Sequence, residues 1–436
     1  MTIMTLELLK KAVRDDAAIR GRATLQPVGG NGDKVFPPTH SVDEKRLRQE
    51  ERPAAKYARE RRRINGEIHD VVLLDSVQSQ ANRMEEALEA LWRKKEIPLP
   101  VIVVDFGAKF PDIGDRISSL TAPHRISDAL LRDSLINGTL FRHSDLGKSF
   151  TDATIRNAAP LFRVCPTALV FGLWDSSGPK GGLGFKLARN LTSEIVGIEA
   201  VFGTKTSSRI DPTGILKKPM EVLKADSRKA PQEQWTLDEG LAEKTDNGES
   251  VKYGKRDKAG TTTAINHSNI PPSLDVLAGG VTFDHATQTV VLSLSGLRRL
   301  SFAAAEQDNE SVHAALAALG LLAVVASAGC GYDLRSRCQL VPEPGKSLSF
   351  ERVAKDGTPS SFALDMAEAK QLYSDAVEAL PKHLRWKKLE PGKRLEDGAL
   401  LLKGEPLAKL TPAPKLLQLI EKSRELSGAG EAEDEV

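Results

Sequence analysis

Apolar positions along this chain alternate between a spacing of two and a spacing of three to four, so strands and helices are mixed throughout. The clearest strand-to-helix passage runs from Val71 to Arg93. Ile68–Leu74 is a strand, and Val77, Ala81, Met84, Leu88 and Leu91 fall on one face of a helix from Ser76 to Lys94. Met1–Lys11 forms a short amphipathic helix rather than a signal peptide, because charges interrupt every apolar run. Ala23–Val28 is an opening strand that ends in a Gly-Gly-Asn-Gly turn, and Asn65-Gly66 is a favoured hairpin pair. Pro98–Phe106 is a further strand. The next helix starts at Thr121 with Pro123 in its first turn and ends at Asn137-Gly138. Thr167–Trp174 has strand character, and Lys186 and Arg189 fall on a helix after a glycine-rich loop, Gly181–Gly184.

In the second half, Val281–Asp284 and Thr289–Ser295 form a hairpin about a turn at His285–Gln288. Ala314–Cys330 is uncharged, but its alanines, Gly320 and lack of flanking anchors fit a helix buried on all sides better than a membrane span. Tyr332–Leu340 has period two, with Tyr332, Leu334, Cys338 and Leu340 on one face. Helices follow at Ala363–Leu380 and Pro414–Leu426, and the chain closes on an acidic tail, Glu431–Glu435. Irregular mixing of this kind predicts an α+β fold.

At 436 residues, with 40 % hydrophobic and 28 % charged residues, the chain is long enough for two or three units. The net charge of +2 advertises no global attraction to nucleic acid, so a basic site must come from local clustering. Lys45–Arg63 holds nine Lys/Arg against three Asp/Glu. Lys205–Lys258 mixes twelve Lys/Arg with ten Asp/Glu and reads as an insertion with too little apolar content to bury its own core. Three cysteines without paired spacing fit a reducing cytoplasm.

Several tempting motifs fail. Gly147–Ser149 and Gly345–Ser347 lack the leading glycine of a phosphate loop, with Arg142 and Leu340 in its place. The Gly181–Gly184 loop lacks the third glycine of a dinucleotide fingerprint, since Leu187 stands there. No histidine pair has metal-ligand spacing, and no cofactor or metal is expected. What remains is a set of neutral donors and cations after strands and at helix starts: Ser76, Gln78, Ser79, Asn82 and Arg83, then His124 and Arg125. Such positions add free N–H groups to side-chain charge and suit phosphate or sugar oxygens. With aromatics at only 5 %, gripping the backbone is favoured over stacking on bases.

Three strings carry a family resemblance: Leu25–Pro38, Leu73–Leu88 and Leu120–Ser134. Over roughly Ile19 to Pro342 the chain resembles the backbone subunit of type I-G (formerly I-U) CRISPR effector complexes, which belongs to the RAMP superfamily of RNA-binding proteins. The resemblance implies a modified RRM-like (RAMP) antiparallel sheet with helices on one face and large insertions. It divides the chain into a RAMP core at residues 1–204 (with a basic hairpin at 45–67), a thumb-like insertion at 205–272, a second core part at 273–345, and a C-terminal helical extension at 346–436. The implied function is non-catalytic: binding guide crRNA, polymerising along it as the Cascade backbone, and supporting pairing with a target DNA strand in antiviral defence. Partners implied are other copies of the chain, a fused guide-processing subunit, a large subunit and a later helicase–nuclease, with no membrane.

Carried over by motif, Lys34, Ser76, Gln78, Ser79, Asn82, Arg83, His124 and Arg125 line the guide groove. Arg61, Arg62, Arg63, Lys186, Arg189, Arg209, Arg298 and Arg299 are further candidate contacts from the residue pattern. Asp33 invites comparison with a target-cutting aspartate of type III relatives, but its surroundings resemble type I and it is read as a loop former. The competing expectation is a RAMP-type endoribonuclease with His124 as general base and Arg125 steadying the phosphate.

Overall fold

Thr5 caps a first helix, α1 (Leu6–Asp15), by accepting the Leu8 N–H, and the chain then enters a twelve-residue strand, β1 (Asp16–Pro27). In β1 the buried positions Ile19, Gly21, Ala23 and Leu25 alternate with Arg20, Arg22, Thr24 and Gln26, so one face is apolar and the other polar. A hairpin follows, β2 (Arg59–Ile64) and β3 (Glu67–Asp75), turning through Asn65 and Gly66, both with positive φ. Helix α2 (Val77–Arg93) starts directly after it, then come β4 (Leu191–Ile198), β5 (His285–Ser293) and a 24-residue helix, α3 (Glu306–Gly329). The chain continues through β6 (Tyr332–Arg335), β7 (Cys338–Pro342), β8 (Ser349–Ala354) and β9 (Pro359–Ala363), then α4 (Met366–Glu378) and α5 (Pro414–Gly430).

This computed structural model describes residues 2–41, 55–175, 185–215, 221–255, 258–302, 305–390 and 392–430. They fall into two compact units: Met1–Ser41 with Tyr57–Val201 and Val281–Leu417, and Val42–Lys56 with Phe202–Gly280 and Gln418–Val436. The first unit is organised by a ten-stranded sheet in which β9, β8, β1, β5, β4, β3 and β2 lie side by side, with β7 also pairing with the end of β1. Every pairing in that row is antiparallel. Taking β1, β4, β5 and β7 with β8 as the four core positions, the spatial order is fourth, first, third, second. Between the first pair in sequence the longest helix is α2, and between the second it is α3. That is the RRM-like α+β arrangement, with the β2–β3 hairpin and β9 extending its two edges.

The core lies on the apolar face. Ile19, Leu25, Ala286, Val290, Leu292, Leu191 and Ile195 are all buried there, and α3 packs against them with nearly every residue from Val312 to Val324 buried. At Gly320 the helix lies against β4 and β5, and an added Cβ there would be 3.5 Å from Leu191 and from Leu292. Among the described residues α3 is the helix long and apolar enough to cross a membrane, yet 78 % of its most apolar window is buried inside the protein. Gly21 marks a second tight contact, since a Cβ there would sit 3.1 Å from the Phe350 ring and 3.2 Å from Val290. A Gly21→Leu variant is therefore expected to lose roughly 1–3 kcal/mol through overpacking. Urea unfolding checks this, and an unchanged midpoint would mean that β1 and β8 are not packed as described.

Several sequence expectations are corrected. The helix foreseen from Thr121 to Asn137 is broken into a 3-10 turn (Arg125–Ser127), one helical turn (Ala129–Arg132) and a tiny hairpin about Asn137-Gly138. The break follows from Arg125, which takes φ +54, and from Asp128, whose carboxylate accepts both the His124 and Leu130 N–H groups and so restarts the helix. Pro166–Phe171 is a helix, not a strand; Gly172 ends it at φ +84 and Leu173–Asp175 is the strand. Lys186 sits in a strand, Phe185–Leu187, opposite Trp174, and Arg189 lies just beyond it, so neither is on a helix. The turn foreseen at His285–Gln288 is instead the start of β5, because its alternate residues Ala286 and Gln288 are needed under the sheet. Tyr332–Leu340 is the β6–β7 hairpin and not one strand, with Tyr332, Leu334, Cys338 and Leu340 all buried. Residues 346–417 join the first unit through β8, β9 and a strand, Ala408–Pro412, that pairs with Ile102–Val104 in a separate five-stranded sheet.

The insertion spans Phe202–Gly280 within the second unit, wider than the sequence pattern suggests, and it does bury a small core. Lys205–Arg209 and Ile270–Asp275 make a two-stranded antiparallel ribbon, and Leu223–Lys224 pairs with Trp235–Thr236. Val222, Leu223, Ala225, Ala230 and Ala242 are buried. Its acidic residues serve as turn formers. Hydrogen bonds from the Thr213 hydroxyl and N–H hold the Asp211 carboxyl well below the usual range, and the Arg228 guanidinium lowers that of Asp226. Part of the basic run from Lys45, the Gly181–Gly184 loop and the acidic tail lie outside the described residues.

Candidate nucleic-acid interface

Helix α2 organises the site. Ser76 is its N-cap, with Oγ accepting the Ser79 N–H at 3.2 Å. Gln78 and Asn82 are exposed on its first turns and Ser79 is half-buried. The next residues tie the helix down. Gln80 donates to Asp75 at 2.6 Å and accepts from Ser193 at 2.8 Å and Gln288 at 3.1 Å, and Tyr332 donates to Gln288 at 2.8 Å. This buried network fastens α2 to β3, β4, β5 and β6, and burial pushes the Tyr332 hydroxyl up to about 12.

Arg83 acts as a clamp. Its Nε donates to Asp75 at 3.0 Å, and its two terminal nitrogens donate to the backbone carbonyls of Asp333 and Leu334 in β6. The β6–β7 hairpin in turn carries Arg337 at its tip. The Arg337 carbonyl accepts the Phe36 N–H at 2.9 Å, and its guanidinium lies 4.1 Å from the centre of the Phe36 ring. The Lys34 ammonium is 5.7 Å from the same ring. So the segment after β1 that carries Lys34 and Phe36 meets the hairpin tip, Arg83 ties the same hairpin to α2, and two cations are gathered about one phenyl ring.

Arg125 has a different place. It is buried, and its guanidinium makes a two-pronged bond to Glu85 of α2 at 2.6 and 2.7 Å, with a further donation to the Gly172 carbonyl at 3.3 Å. Burial pushes the Glu85 carboxyl up to about 7, opposed by Arg125 and then Arg189. This corrects the expectation that Arg125 faces a groove: it joins the broken helix to α2. On the outer side of that joint stand exposed His124, Lys186 and Arg189, together with Trp174 at 62 % exposure. Desolvation and the neighbouring Arg125 charge lower the Arg189 pKa.

The remaining candidates divide similarly. Arg62 is bound two-pronged by Glu194 at 2.7 and 3.0 Å, Arg63 donates to the Gly66 carbonyl, and Arg61 lies 3.7 Å from Asp70. Arg209 donates to the His267 and Ser268 carbonyls, and Arg298 closes the end of α1 by donating to the Val13 and Asp16 carbonyls. Arg299 is exposed. Sequence reading missed Arg20 and Arg22 on the polar sheet face, where Arg20 pairs with Glu351 and Arg22 is exposed between strands. It also passed over Phe36. The period-two run Arg20-Gly21-Arg22 is the signal that could have found the first pair.

Residues 19–201 match a family model described as CRISPR-associated protein GSU0053 (Cas_GSU0053). Over that stretch, less than half of its length, the chain is similar to this family. No curated protein matches it. The matched segment holds most of β1, the β2–β3 hairpin, α2 with Arg83, the Arg125–Glu85 joint and β4, and so includes Lys34, Arg61 to Arg63, the first turns of α2, His124, Lys186 and Arg189. Arg209, Arg298, Arg299 and Arg337 lie beyond it.

Proposed function

We propose that this chain is the guide-RNA-binding backbone subunit of a type I-G CRISPR effector complex, gripping the guide's sugar–phosphate chain and assembling along it without cleaving it. The observation that carries the reading is the Lys34–Phe36–Arg337 cluster on the β6–β7 hairpin that Arg83 ties to α2, together with the exposed helix-start donors Gln78 and Asn82, on an RRM-like sheet whose β1 carries one polar face. The CRISPR-associated family match supports it. In this reading target DNA pairs with the guide, and the guide-processing, large and helicase–nuclease proteins are partners.

The endoribonuclease reading is the lesser one. A histidine acting as general base is ordinarily oriented by a second group. The ring of His124 makes no hydrogen bond with the described residues, and the Arg125 assigned to help it is bound to Glu85. Incubating purified protein with labelled repeat RNA separates the two. A slower-migrating but intact RNA is expected. Specific cleavage that disappears in His124→Ala would overturn the binding-only reading.

A further inference from the structure

Trp92 and Trp386 are buried, as large aromatic rings usually are. Trp174 is instead 62 % exposed, and its indole N–H makes no hydrogen bond with the described residues. Its backbone is nevertheless held firmly. Leu173–Asp175 pairs with Phe185–Leu187, and Leu173 lies opposite Leu187 with both buried. Trp174 and Lys186, directly opposite each other, therefore stand together on the outer face. Beneath them Asp175 accepts from Arg142 at 2.8 Å. Ser127 Oγ lies 2.8 Å from the His124 carbonyl and 3.4 Å from that of Trp174, which ties the turn carrying exposed His124 to this strand. An added Cβ at Gly172 would be 2.8 Å from Cγ of Arg189, so the Arg189 stem crosses the chain two residues before Trp174.

The cations beside this ring have no anion. The side chains of Lys186 and Arg189 make no hydrogen bond or ion pair with the described residues. The neighbouring carboxylates are engaged elsewhere: Glu85 by Arg125, Asp175 by Arg142, and Asp128 by the His124 and Leu130 N–H groups. An exposed aromatic flanked by cations suits single-stranded nucleic acid, with a base on the ring and phosphates on the charges. A protein partner fits less well, because an interface core is apolar and poor in charge. Here Ile126, Leu173 and Leu187 are all buried, and Trp174 stands among His124, Lys186 and Arg189. A duplex does not fit either, since its bases are stacked on one another and offer the ring no face. We propose that Trp174 stacks on one unpaired base of a single-stranded RNA, while Lys186 and Arg189 neutralise the phosphates flanking it. The inference rests on the guide-binding reading for naming the strand as RNA. It deepens that reading at one position, where a base is held as well as the backbone.

The test titrates full-length protein with unstructured RNA of mixed sequence across a salt series, for the parent, Trp174→Ala, Trp174→Phe and Lys186→Ala. Each variant changes an exposed side chain, so melting temperatures should match the parent's. Trp174→Ala should weaken binding about tenfold without altering the salt slope, because stacking releases no counterions. Trp174→Phe should recover most of that loss, since it restores a flat ring. Lys186→Ala should lower the log–log slope by about 0.7. Unchanged RNA affinity in Trp174→Ala overturns the proposal and leaves guide binding standing. So does a loss that Trp174→Phe does not recover, which would make the side chain a packing group. An equal loss on the same RNA annealed to its complement also overturns it, because no unpaired base would then be involved. Single-stranded DNA of the same sequence is the remaining arm. A parent that binds this DNA but not the RNA would refute the guide-binding reading, and Trp174→Ala assayed on the DNA would then decide whether the ring holds a base.

Discussion

Replacing Arg125 by alanine is expected to destabilise the protein by about 3–5 kcal/mol, because it strands a buried carboxylate. Glu85 has its side chain 2 % exposed and depends on Arg125 for two hydrogen bonds. The loss should depend on pH in a defined direction. Burial raises the Glu85 carboxyl from its ordinary 4.5 to about 7, so the folded state binds that proton more tightly than the unfolded chain does. The associated stability is fully present below 4.5 and is lost as pH rises through about 7. Without the guanidinium the carboxyl rises further, and the variant's deficit should shrink on acidification as Glu85 enters the fold neutral. Urea unfolding of parent and variant at about pH 5 and pH 8 measures this. A small loss, equal at both values, would mean that the pair does not hold α2 to the broken helix.

The same residue shows where sequence reading stops. The frame was legible because each of its elements has a local signature. Val77, Ala81, Met84 and Leu88 give α2, Asn65-Gly66 gives the hairpin, and the unbroken apolar run in α3 announces burial on every side. What failed was short and tertiary. Pro166–Phe171 is six apolar residues long, and at that length a helix and a strand carry the same pattern; Pro166 at the first helical position and Gly172 after the last decide it. The Thr121 helix has good start and stop residues, and only a partner forty positions away, Glu85, bends Arg125 into the left-handed region. Nothing local foretells that contact.

The site divides along the same line. Position after a strand placed Ser76, Gln78 and Asn82 at the opening of α2, and the structure makes Ser76 its cap and leaves Gln78 and Asn82 exposed, as helix termination requires. Whether an arginine there faces solvent or closes a backbone joint depends on long-range neighbours. Arg83 meets β6, some 250 residues on, and Arg298 meets α1, some 285 residues back. Arginine suits such joints because its planar fork satisfies several carbonyls at once. Conversely, Phe36 gave no signal as a single aromatic beside two prolines, and only the approach of the β6–β7 tip makes it a holder of cations.

That division makes a sharp prediction for RNA binding. Cations that contact phosphate set the salt dependence of affinity, each contributing roughly 0.7 to the log–log slope on single-stranded RNA. Sequence position alone would assign such contacts to Arg83 and Arg125. Their bonds to Asp75, to the β6 carbonyls and to Glu85 instead make them parts of the scaffold. Arg337→Ala and Lys34→Ala are therefore expected to lower the slope by about 0.7 each, with little change in melting temperature and no change in which sequences bind. Arg83→Ala and Arg125→Ala, assayed well below their lowered melting temperatures, should keep the parental slope. The measurement is affinity for repeat RNA across a salt series for all four variants, alongside thermal melts. The assignment fails if folded Arg125→Ala loses slope while Arg337→Ala retains it, for the guide would then run over the Glu85 joint and not along the Phe36 cluster.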